Sequence, residues 1–346
     1  MTERDIQIGI DSFAATVSDP DTGEVLAPEL RLSNLLEEIS KADEVGLDSF
    51  GVGEHHRAEY LDSAPSIILA AAAARTKNIR LTSAVTVLSA ADPVRVFQQF
   101  ATLDLLANGR AEIVAGRGSF TEAYPLFGLR LEDYDALFEE KLALLLKLRG
   151  AERVSWSGQF RAPLHDVGVY PRPLQNPLPV WRGVGGSPAS FARAGQRGLP
   201  LMVAIIGGDV RRFAPLVDLY RRAYLDAGHD PAELRVGVHA FGFVAEDAAK
   251  ARELFWPGYA RLFSKVGRER GWPPPSRAAF DAACGPGGPY LIGDPETVAR
   301  KVRYFDQTLG GLARLNFQMT NVALAHEDML RSIELLGKEV KPTVVA

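Results

Sequence analysis

Eight short apolar runs alternate with amphipathic stretches along this chain, and this alternation is the feature that most limits its fold. Runs of this length are typical of strands, and the stretches between them repeat apolar side chains at helical spacing. Eight parallel strands, each followed by a helix, close into a (β/α)8 barrel. We therefore predict an α/β fold, a (β/α)8 TIM barrel with insertions. Its strands are expected at residues 6–10, 47–53, 79–88, 111–115, 180–183, 201–206, 236–244 and 312–318.

Two stretches interrupt the alternation, at about residues 150–179 and 256–292, and both are rich in proline or glycine. We interpret them as irregular insertions in a single domain of residues 1–346, because strand–helix alternation resumes after each. A doubly wound sheet in two domains is the alternative. It is disfavoured because no Gly-x-Gly-x-x-Gly turn follows the first strand, where a dinucleotide-binding fold needs one.

Composition argues against several functional classes. The 346 residues carry a net charge of −4 without a long cluster of Lys and Arg, so we expect a small-molecule substrate and neither nucleic-acid nor membrane partners. Cys284 is the only cysteine, so no intrachain disulfide and no cysteine-based metal cluster is expected. The polar N-terminus and the shortness of the apolar runs predict a cytoplasmic protein.

The second predicted strand leads into a carboxylate, two imidazoles and a guanidinium, which are Glu54, His55, His56 and Arg57. Barrel enzymes place their sites at this end of the strands. Adjacent side chains on a strand point to opposite faces, so His55 and His56 are poorly placed to bind one ion, and we expect no metal. We interpret one imidazole as a general acid/base or polar contact and the other as structural. Glu54 is expected to orient an imidazole or Arg57.

Two glycine-containing turns have the features of an anion site. Gly116-Arg117-Gly118-Ser119 follows the fourth strand and places a guanidinium between two glycines. The segment 185–190 places N–H groups and the hydroxyls of Ser187 and Ser190 at a predicted helix N-terminus. Together the turns are able to hold one phosphate from two sides. The alternatives are a structural turn with a surface arginine and a simple helix cap.

Other residues past the strand ends are expected to line a substrate pocket. Phe13 follows the first strand and Gln318 ends the eighth, and we group both with Glu54 and His56. Gln318 is able to hydrogen-bond a ligand, although general polarity of the barrel mouth explains it equally well. Apolar walls with glycines, hydroxyls and one arginine suit a bulky, partly aromatic ligand with an anionic end.

In this order, several short motifs resemble those of the bacterial luciferase-like flavin-dependent monooxygenases, over nearly the whole chain. The motifs are Gly53-Glu54-His55-His56, residues 82–88 followed by Asp92-Pro93-Val94-Arg95, Leu103-Asp104, Asn108-Gly109-Arg110, Gly116-Arg117-Gly118, Phe127-Gly128 and residues 198–202. The resemblance implies a (β/α)8 barrel that binds FMN, or in some relatives the deazaflavin F420, at the carboxyl ends of the strands.

The resemblance also implies roles for individual residues. His55 matches the catalytic histidine of the family, and the Ala84–Val85 bond matches a non-prolyl cis peptide. Arg117 would contact the flavin phosphate, with Ser187 and Ser190 on the opposite side. The residues expected around the cofactor are Ala84, Val85, Arg117, Gly118, Gly186, Ser187 and Ser190.

Four functional hypotheses follow. The first is a monooxygenase, acting on paired donors with incorporation of O2, that oxidises a small organic substrate using reduced FMN from a separate flavin reductase. The second is an F420-dependent oxidoreductase of the same fold that transfers a hydride. The third is a non-catalytic flavin-binding protein, and the fourth is a metal-dependent hydrolase. By resemblance, a homodimer is expected.

Overall fold

The computed structural model describes residues 6–19 and 22–345, and its centre is a closed parallel barrel. Eight strand positions form the barrel in the order β1, β2, β3, β5, β8, β9, β10 and β12, and β12 pairs with β1 to close it. This confirms the predicted (β/α)8 fold. The strands are β1 Gln7–Ser12, β2 Ser49–Val52, β3 Arg80–Ser83, β4 Thr86–Val87, β5 Ala111–Gly116, β6 Arg153–Trp156, β7 Leu164–Gly168, β8 Val180–Val184, β9 Leu201–Ile205, β10 Val236–Val244, β11 Leu291–Gly293 and β12 Arg314–Gln318.

Helices surround the barrel, and many begin where the sequence has proline or an acidic cap. Pro93 opens one helix after Asp92, whose carboxylate accepts hydrogen bonds from two backbone N–H groups of the first turn. No helix of the described ranges is both long and apolar enough to cross a membrane. The helices are α1 Pro28–Glu44, α2 Pro65–Ala73, α3 Pro93–Leu106, α4 Ala123–Leu126, α5 Tyr134–Gly150, α6 Pro188–Gln196, α7 Ala214–Asp226, α8 Ala248–Arg270, α9 Arg277–Cys284, α10 Pro295–Thr308, α11 His326–Leu335 and α12 Lys341–Val345, with 3-10 turns at Leu131–Asp133, Val210–Phe213 and Pro231–Glu233 and a π turn at Leu336–Val340.

The third strand differs from the prediction. A continuous strand over residues 79–88 was expected, but the backbone breaks into β3 and β4. The Ala84–Val85 peptide between them is cis, as the family resemblance predicted. β3 pairs with β2 and β5, whereas β4 pairs only with the end of β5. The break lies at the carboxyl end of the strand, where barrel enzymes place their sites.

Both stretches predicted to be irregular contain regular structure, so that prediction was wrong in detail. In residues 150–179, β6 and β7 form an antiparallel hairpin. In residues 256–292, α8 continues through Pro257 to Arg270 and α9 follows. An internal proline costs a helix about 3 kcal/mol. Aromatic packing offsets that cost, because the Tyr259 ring contacts those of Phe263, Phe280 and Tyr290 at centroid distances of 4.4, 5.0 and 5.6 Å.

A buried ion pair crosses the barrel interior. The guanidinium of Arg314 on β12 donates to both carboxylate oxygens of Glu112 on β5, at 2.6 and 3.2 Å, and both residues are almost fully buried. The Arg314 guanidinium also lies over the Trp181 ring at 4.8 Å. Burial alone would raise the pKa of Glu112, but the charge and hydrogen bonds of Arg314 outweigh burial and lower that pKa. Glu112 is therefore a carboxylate that compensates the charge of Arg314.

Replacing Glu112 by glutamine should destabilise the barrel strongly. The change leaves Arg314 buried without its counter-charge, and loss of one partner of a buried pair costs about 3–5 kcal/mol. Denaturant unfolding of the wild type and Glu112→Gln measures the difference. Glu296→Gln is the matched control, because its pair with Arg300 is exposed and should contribute less than about 1 kcal/mol. Equal effects of the two substitutions would contradict this account of the barrel interior.

Candidate active site

A cavity of about 530 Å³ opens at the carboxyl ends of the strands, which is within the size range of small-molecule sites. Most of its wall is apolar or aromatic, and a few charged groups and imidazoles lie among glycines. The lining residues are Asp11, Phe13, Glu54, His55, His56, Ala84, Val85, Val87, Val114, Gly116, Arg117, Gly118, Ser119, Phe120, Glu122, Ala123, Tyr134, Gly183, Val184, Gly185, Gly186, Met202, Ala204, Ile206, Gly207, Phe213, His239 and Asn316.

His55 lies just past β2 and is held by a buried carboxylate. Its Nδ1 lies 2.9 Å from Oδ2 of Asp62, a side chain with no exposed surface. Burial raises the pKa of Asp62, and the hydrogen bond with His55 opposes that rise. The imidazole stacks on the Tyr60 ring at 4.3 Å and lies 4.6 Å from the Phe13 ring. The ring orientation of His55 is therefore fixed from two sides.

The neighbouring imidazole has a different partner. Nε2 of His56 lies 3.1 Å from Oε1 of Glu54, and the other oxygen of Glu54 accepts the backbone N–H of Val87 at 2.8 Å. Glu54 thus joins the end of β2 to β4, across the break in the third strand. Glu54 orients an imidazole, as one of the two predicted options, and does not contact Arg57. The His56 ring is thereby held in place at the cavity wall.

Val85, just after the cis peptide, fixes the shape of the adjacent wall. A Cβ atom on Gly116 would lie 2.5 Å from Cγ2 of Val85, and one on Gly183 would lie 3.0 Å from its Cγ1. Side chains at these two positions would therefore displace Val85 from the cavity wall. The two glycines on β5 and β8 are needed because the valine occupies the space that their side chains would fill.

The predicted phosphate site is assembled in part. Nη2 of Arg117 lies 3.4 Å from Oγ of Ser190 in the first turn of α6, so these two groups converge. The guanidinium also pairs with Asp135 and lies 4.8 Å from the Tyr134 ring centroid. Ser187 precedes α6, makes no side-chain cap bond and is exposed. A phosphate bound here would compete with Asp135 for Arg117.

Most of the predicted site residues lie around this one cavity. Ser190 lies just behind the wall, in contact with Arg117, and Ser187 is exposed at the start of α6 rather than in the lining. Gln318 is buried at the end of β12, outside the lining, and its Oε1 has no hydrogen-bond partner among the described residues. The predicted residues in the lining are Phe13, Glu54, His55, His56, Ala84, Val85, Arg117, Gly118 and Gly186.

Sequence reasoning missed a polar group at the floor of the cavity. Nδ1 of His239 on β10 lies 2.5 Å from Oδ2 of Asp11 on β1. The other oxygen of Asp11 accepts from Asn316 at 2.9 Å, and Oδ1 of Asn316 accepts from Ser49 at 3.1 Å. A histidine in the middle of an apolar strand was the available signal, since a buried imidazole needs a partner. Asp62 was missed because it lies on an irregular loop.

A charged cluster lies over the cavity and was also missed. Arg57 pairs with Glu59 at 2.9 Å, with Glu269 of α8 at 2.8 Å, and with Glu122 of the loop after β5. Hydrogen bonds that Arg57 donates to Glu269 and Glu59 raise the pKa of Arg57. Burial alone would raise the pKa of Glu59, but hydrogen bonds from Arg57 and Lys265 hold it at about 2. The cluster joins the end of β2, the loop after β5 and helix α8.

The arrangement fits a planar, partly apolar ligand that carries an anion. Arg117 and the exposed N-terminus of α6 supply positive charge at one side of the cavity. His55 and His239 supply imidazoles elsewhere in the wall. Among the residues that the structure describes, no three His, Cys, Asp or Glu side chains are placed to hold a metal ion.

Comparison with known proteins finds one family model that matches most of the chain and several similar proteins. The sequence model of the luciferase-like monooxygenases matches residues 9–311. The 4-hydroxyprotoasukamycin monooxygenase of Streptomyces nodosus subsp. asukaensis is 28% identical over 328 residues, covering 91% of this chain and 87% of that protein. The F420-dependent glucose-6-phosphate dehydrogenase of Kineococcus radiotolerans is 33% identical over 210 residues, covering 58% of this chain and 57% of that one. Several relatives, this one included, align over less than two thirds of their length.

The fold also matches a solved structure over its full length. The oxygenating constituent of 3,6-diketocamphane monooxygenase from Pseudomonas putida, in complex with FMN, superimposes with a TM-score of 0.77. The alignment covers 98% of each chain at 20% identity, so it supports the fold alone.

Replacing Gly116 by alanine should distort the wall of the cavity. The new methyl group overlaps Val85, and overpacking of this kind costs about 1–3 kcal/mol. Thermal or denaturant unfolding measures the effect. Gly186→Ala is the control, because a Cβ there meets nothing within 4 Å and should change stability by less than about 0.5 kcal/mol. Gly116→Ala should cost less in a Val85→Ala background than in the wild type, and an equal cost in both would show that the overlap is not the cause.

The contribution of Glu59 to stability should depend on pH. Its pKa of about 2 in the folded protein lies below its ordinary value of 4.5, so its ion pairs stabilise the fold fully above about pH 4.5. That contribution is lost as pH falls from about 4.5 through about 2. The difference in unfolding free energy between the wild type and Glu59→Gln should shrink over this range. A constant difference between the wild type and Glu59→Gln over this range would contradict the assignment.

Proposed function

Because the chain belongs to the luciferase-like monooxygenase family, we propose that it is an oxidoreductase that uses reduced FMN and O2 to oxidise a small organic substrate. The observation that carries this proposal is that one cavity combines an anion site with a carboxylate-held imidazole. Arg117 and Ser190 lie on one side, and the pair of His55 and Asp62 lies on another. This separation would place the flavin phosphate at the anion site and the reacting ring beside the imidazole.

The cavity fits FMN by size and by charge. Its volume of about 530 Å³ accommodates a tricyclic ring with a phosphate-bearing chain. Arg117 and the N-terminus of α6 would hold the phosphate, and Gly118 and Gly186 would permit close approach of the backbone. Ala84 and Val85 would form the wall against the ring. Reduced FMN, when bound, supplies the electrons that activate O2.

His55 is the residue that we assign to proton handling at the substrate. The Asp62 carboxylate accepts a hydrogen bond from Nδ1, which leaves Nε2 as the atom able to give or take a proton in the cavity. The packed rings of Tyr60 and Phe13 keep bulk water away from the imidazole. Exclusion of water from the reacting groups strengthens their electrostatic interactions and limits side reactions.

A hydride-transferring oxidoreductase that uses F420 is the second candidate. The identity of 33% to an F420-dependent glucose-6-phosphate dehydrogenase favours it over the aligned region. The two candidates share the fold and the Arg117 anion site, and they differ in whether O2 is consumed. By family resemblance, we further propose that a separate flavin reductase supplies the reduced FMN and that the chain forms a homodimer.

Binding of the two cofactors and consumption of O2 test the proposal. Purified protein should bind FMN, oxidised or reduced, more tightly than F420, and with an oxidisable substrate it should consume O2 beyond the background of free reduced FMN. Tighter binding of F420 with hydride transfer would establish the second candidate. Binding of FMN without additional O2 consumption for any substrate would indicate a flavin-binding protein without turnover, and absence of any flavin binding would overturn the proposal.

The phosphate assignment has a sharper test. Arg117→Met should weaken FMN binding by about 10- to 100-fold, because a charge-assisted contact contributes about 1.5–3 kcal/mol. Riboflavin lacks the phosphate, so its dissociation constant should be the same for the wild type and the variant. Arg153→Met, in the β6–β7 hairpin outside the cavity lining, is the control and should change neither constant. Equal weakening of FMN and riboflavin by Arg117→Met would show that Arg117 does not bind the phosphate.

A further inference from the structure

The cavity contains a further carboxylate-held imidazole, His239, that the proposed function does not use. His239 points into the barrel from β10, and its Nδ1 lies 2.5 Å from Asp11. Asp11 is fixed in turn, because its other oxygen accepts from Asn316, which is itself bonded to Ser49. The four side chains come from β1, β2, β10 and β12, and all are buried. The chain of bonds holds the His239 ring in one orientation.

With Asp11 ionised, this arrangement determines which nitrogen of a neutral His239 ring carries the proton. An ionised carboxylate only accepts hydrogen bonds, so Nδ1 must be the donor to Asp11. In the neutral imidazole, Nε2 then presents a lone pair. No described residue hydrogen-bonds to Nε2, and the side chain keeps about a tenth of its surface exposed in the cavity that it lines. Nε2 is therefore a hydrogen-bond acceptor available to a ligand.

The surroundings of His239 indicate the kind of molecule that would use this acceptor. The Phe13 ring lies 5.8 Å from the imidazole and within 16° of parallel to it. Val85, Val114 and Met202, which also line the cavity, belong to one apolar cluster together with Trp181. These surroundings favour a largely apolar, flat molecule as the donor that reaches His239. An aromatic hydroxyl satisfies both conditions, because its ring is apolar and its O–H donates strongly.

We propose that His239 is a ligand-contacting residue that selects phenolic or enolic substrates by accepting a hydrogen bond from their hydroxyl group. The assignment rests on the proposed function, since it names the substrate class of the same cavity. Asp11 is a positioning residue that acts through His239 by fixing its tautomer. Ketones and ethers of the same shape lack the donor and are discriminated against, because they leave Nε2 buried without a partner.

Two pairs of matched probes test this selection in the full-length protein, with and without oxidised FMN. The probe 2-naphthol has the donor, and 2-methoxynaphthalene replaces it by an ether. We measure the ratio of their dissociation constants by fluorescence titration. His239→Asn keeps an amide that is able to donate to Asp11 but removes the Nε2 acceptor. The preference for 2-naphthol should fall by about 5- to 10-fold in this variant, which is the usual effect of one neutral hydrogen bond.

Asp11→Asn tests whether Asp11 fixes the tautomer of His239. A purely structural role of Asp11 would not change which probe the protein prefers. With the amide oxygen still accepting from Asn316, the amide nitrogen faces Nδ1 of His239 and donates to it. His239 must then carry its proton on Nε2, which turns the acceptor into a donor. The preference should shift from 2-naphthol toward 2-acetonaphthone, which only accepts. His165→Asn, at an exposed position of β7 outside the cavity lining, is the matched control and should leave the ratio of 2-naphthol to 2-methoxynaphthalene unchanged.

Each outcome decides the proposal. A ratio that falls in His239→Asn but not in His165→Asn supports it, and so does the reversed preference of Asp11→Asn. No binding of 2-naphthol to the wild type, no preference over the ether, or a ratio lost only in His165→Asn would overturn it. If either His239→Asn or Asp11→Asn fails to fold, the other variant decides. The ratio is measurable without FMN, so failure of flavin binding would refute the proposed function separately.

Discussion

Closure of the parallel sheet is the constraint on which the rest of this structure depends. Once β12 pairs with β1, successive side chains of each strand point alternately to the surrounding helices and to the barrel interior. Polar groups on the inner face have no solvent below the cavity and must find partners across the barrel. Glu112 meets Arg314 near the bottom, and Asp11 meets His239 above them. The cavity thus lies above paired polar groups in the barrel interior.

At the mouth of this barrel, carboxylates orient three imidazoles. His55, His56 and His239 each have one ring nitrogen beside an acidic group, and for each the second nitrogen is left for other contacts. The three acids come from different parts of the chain. Glu54 differs from the other two acids, because it also accepts a hydrogen bond from the backbone of β4 and thereby stabilises the cavity wall.

Features that depend on local pattern, such as the strands, were predicted from the sequence. Contacts that depend on the register between distant strands were missed. Apolar periodicity was sufficient for the eight strands, because alternation is visible within each run. Asp11 and His239 are 228 positions apart, and only the closed barrel brings them together. The helix α8 was mistaken for an irregular stretch because Pro257 is a local breaker signal, whereas the aromatic packing that maintains the helix is tertiary. The cis peptide came from resemblance alone.

Phe120 belongs both to the cavity wall and to the charged surroundings of Arg57. Its ring lies 4.9 and 4.8 Å from the guanidinium groups of Arg57 and Arg270, and it also lines the cavity. Contacts of this kind attract a cation to the face of the ring and help to hold the ring in place. A ligand in the cavity would therefore meet an aromatic surface whose position depends on the charges around it.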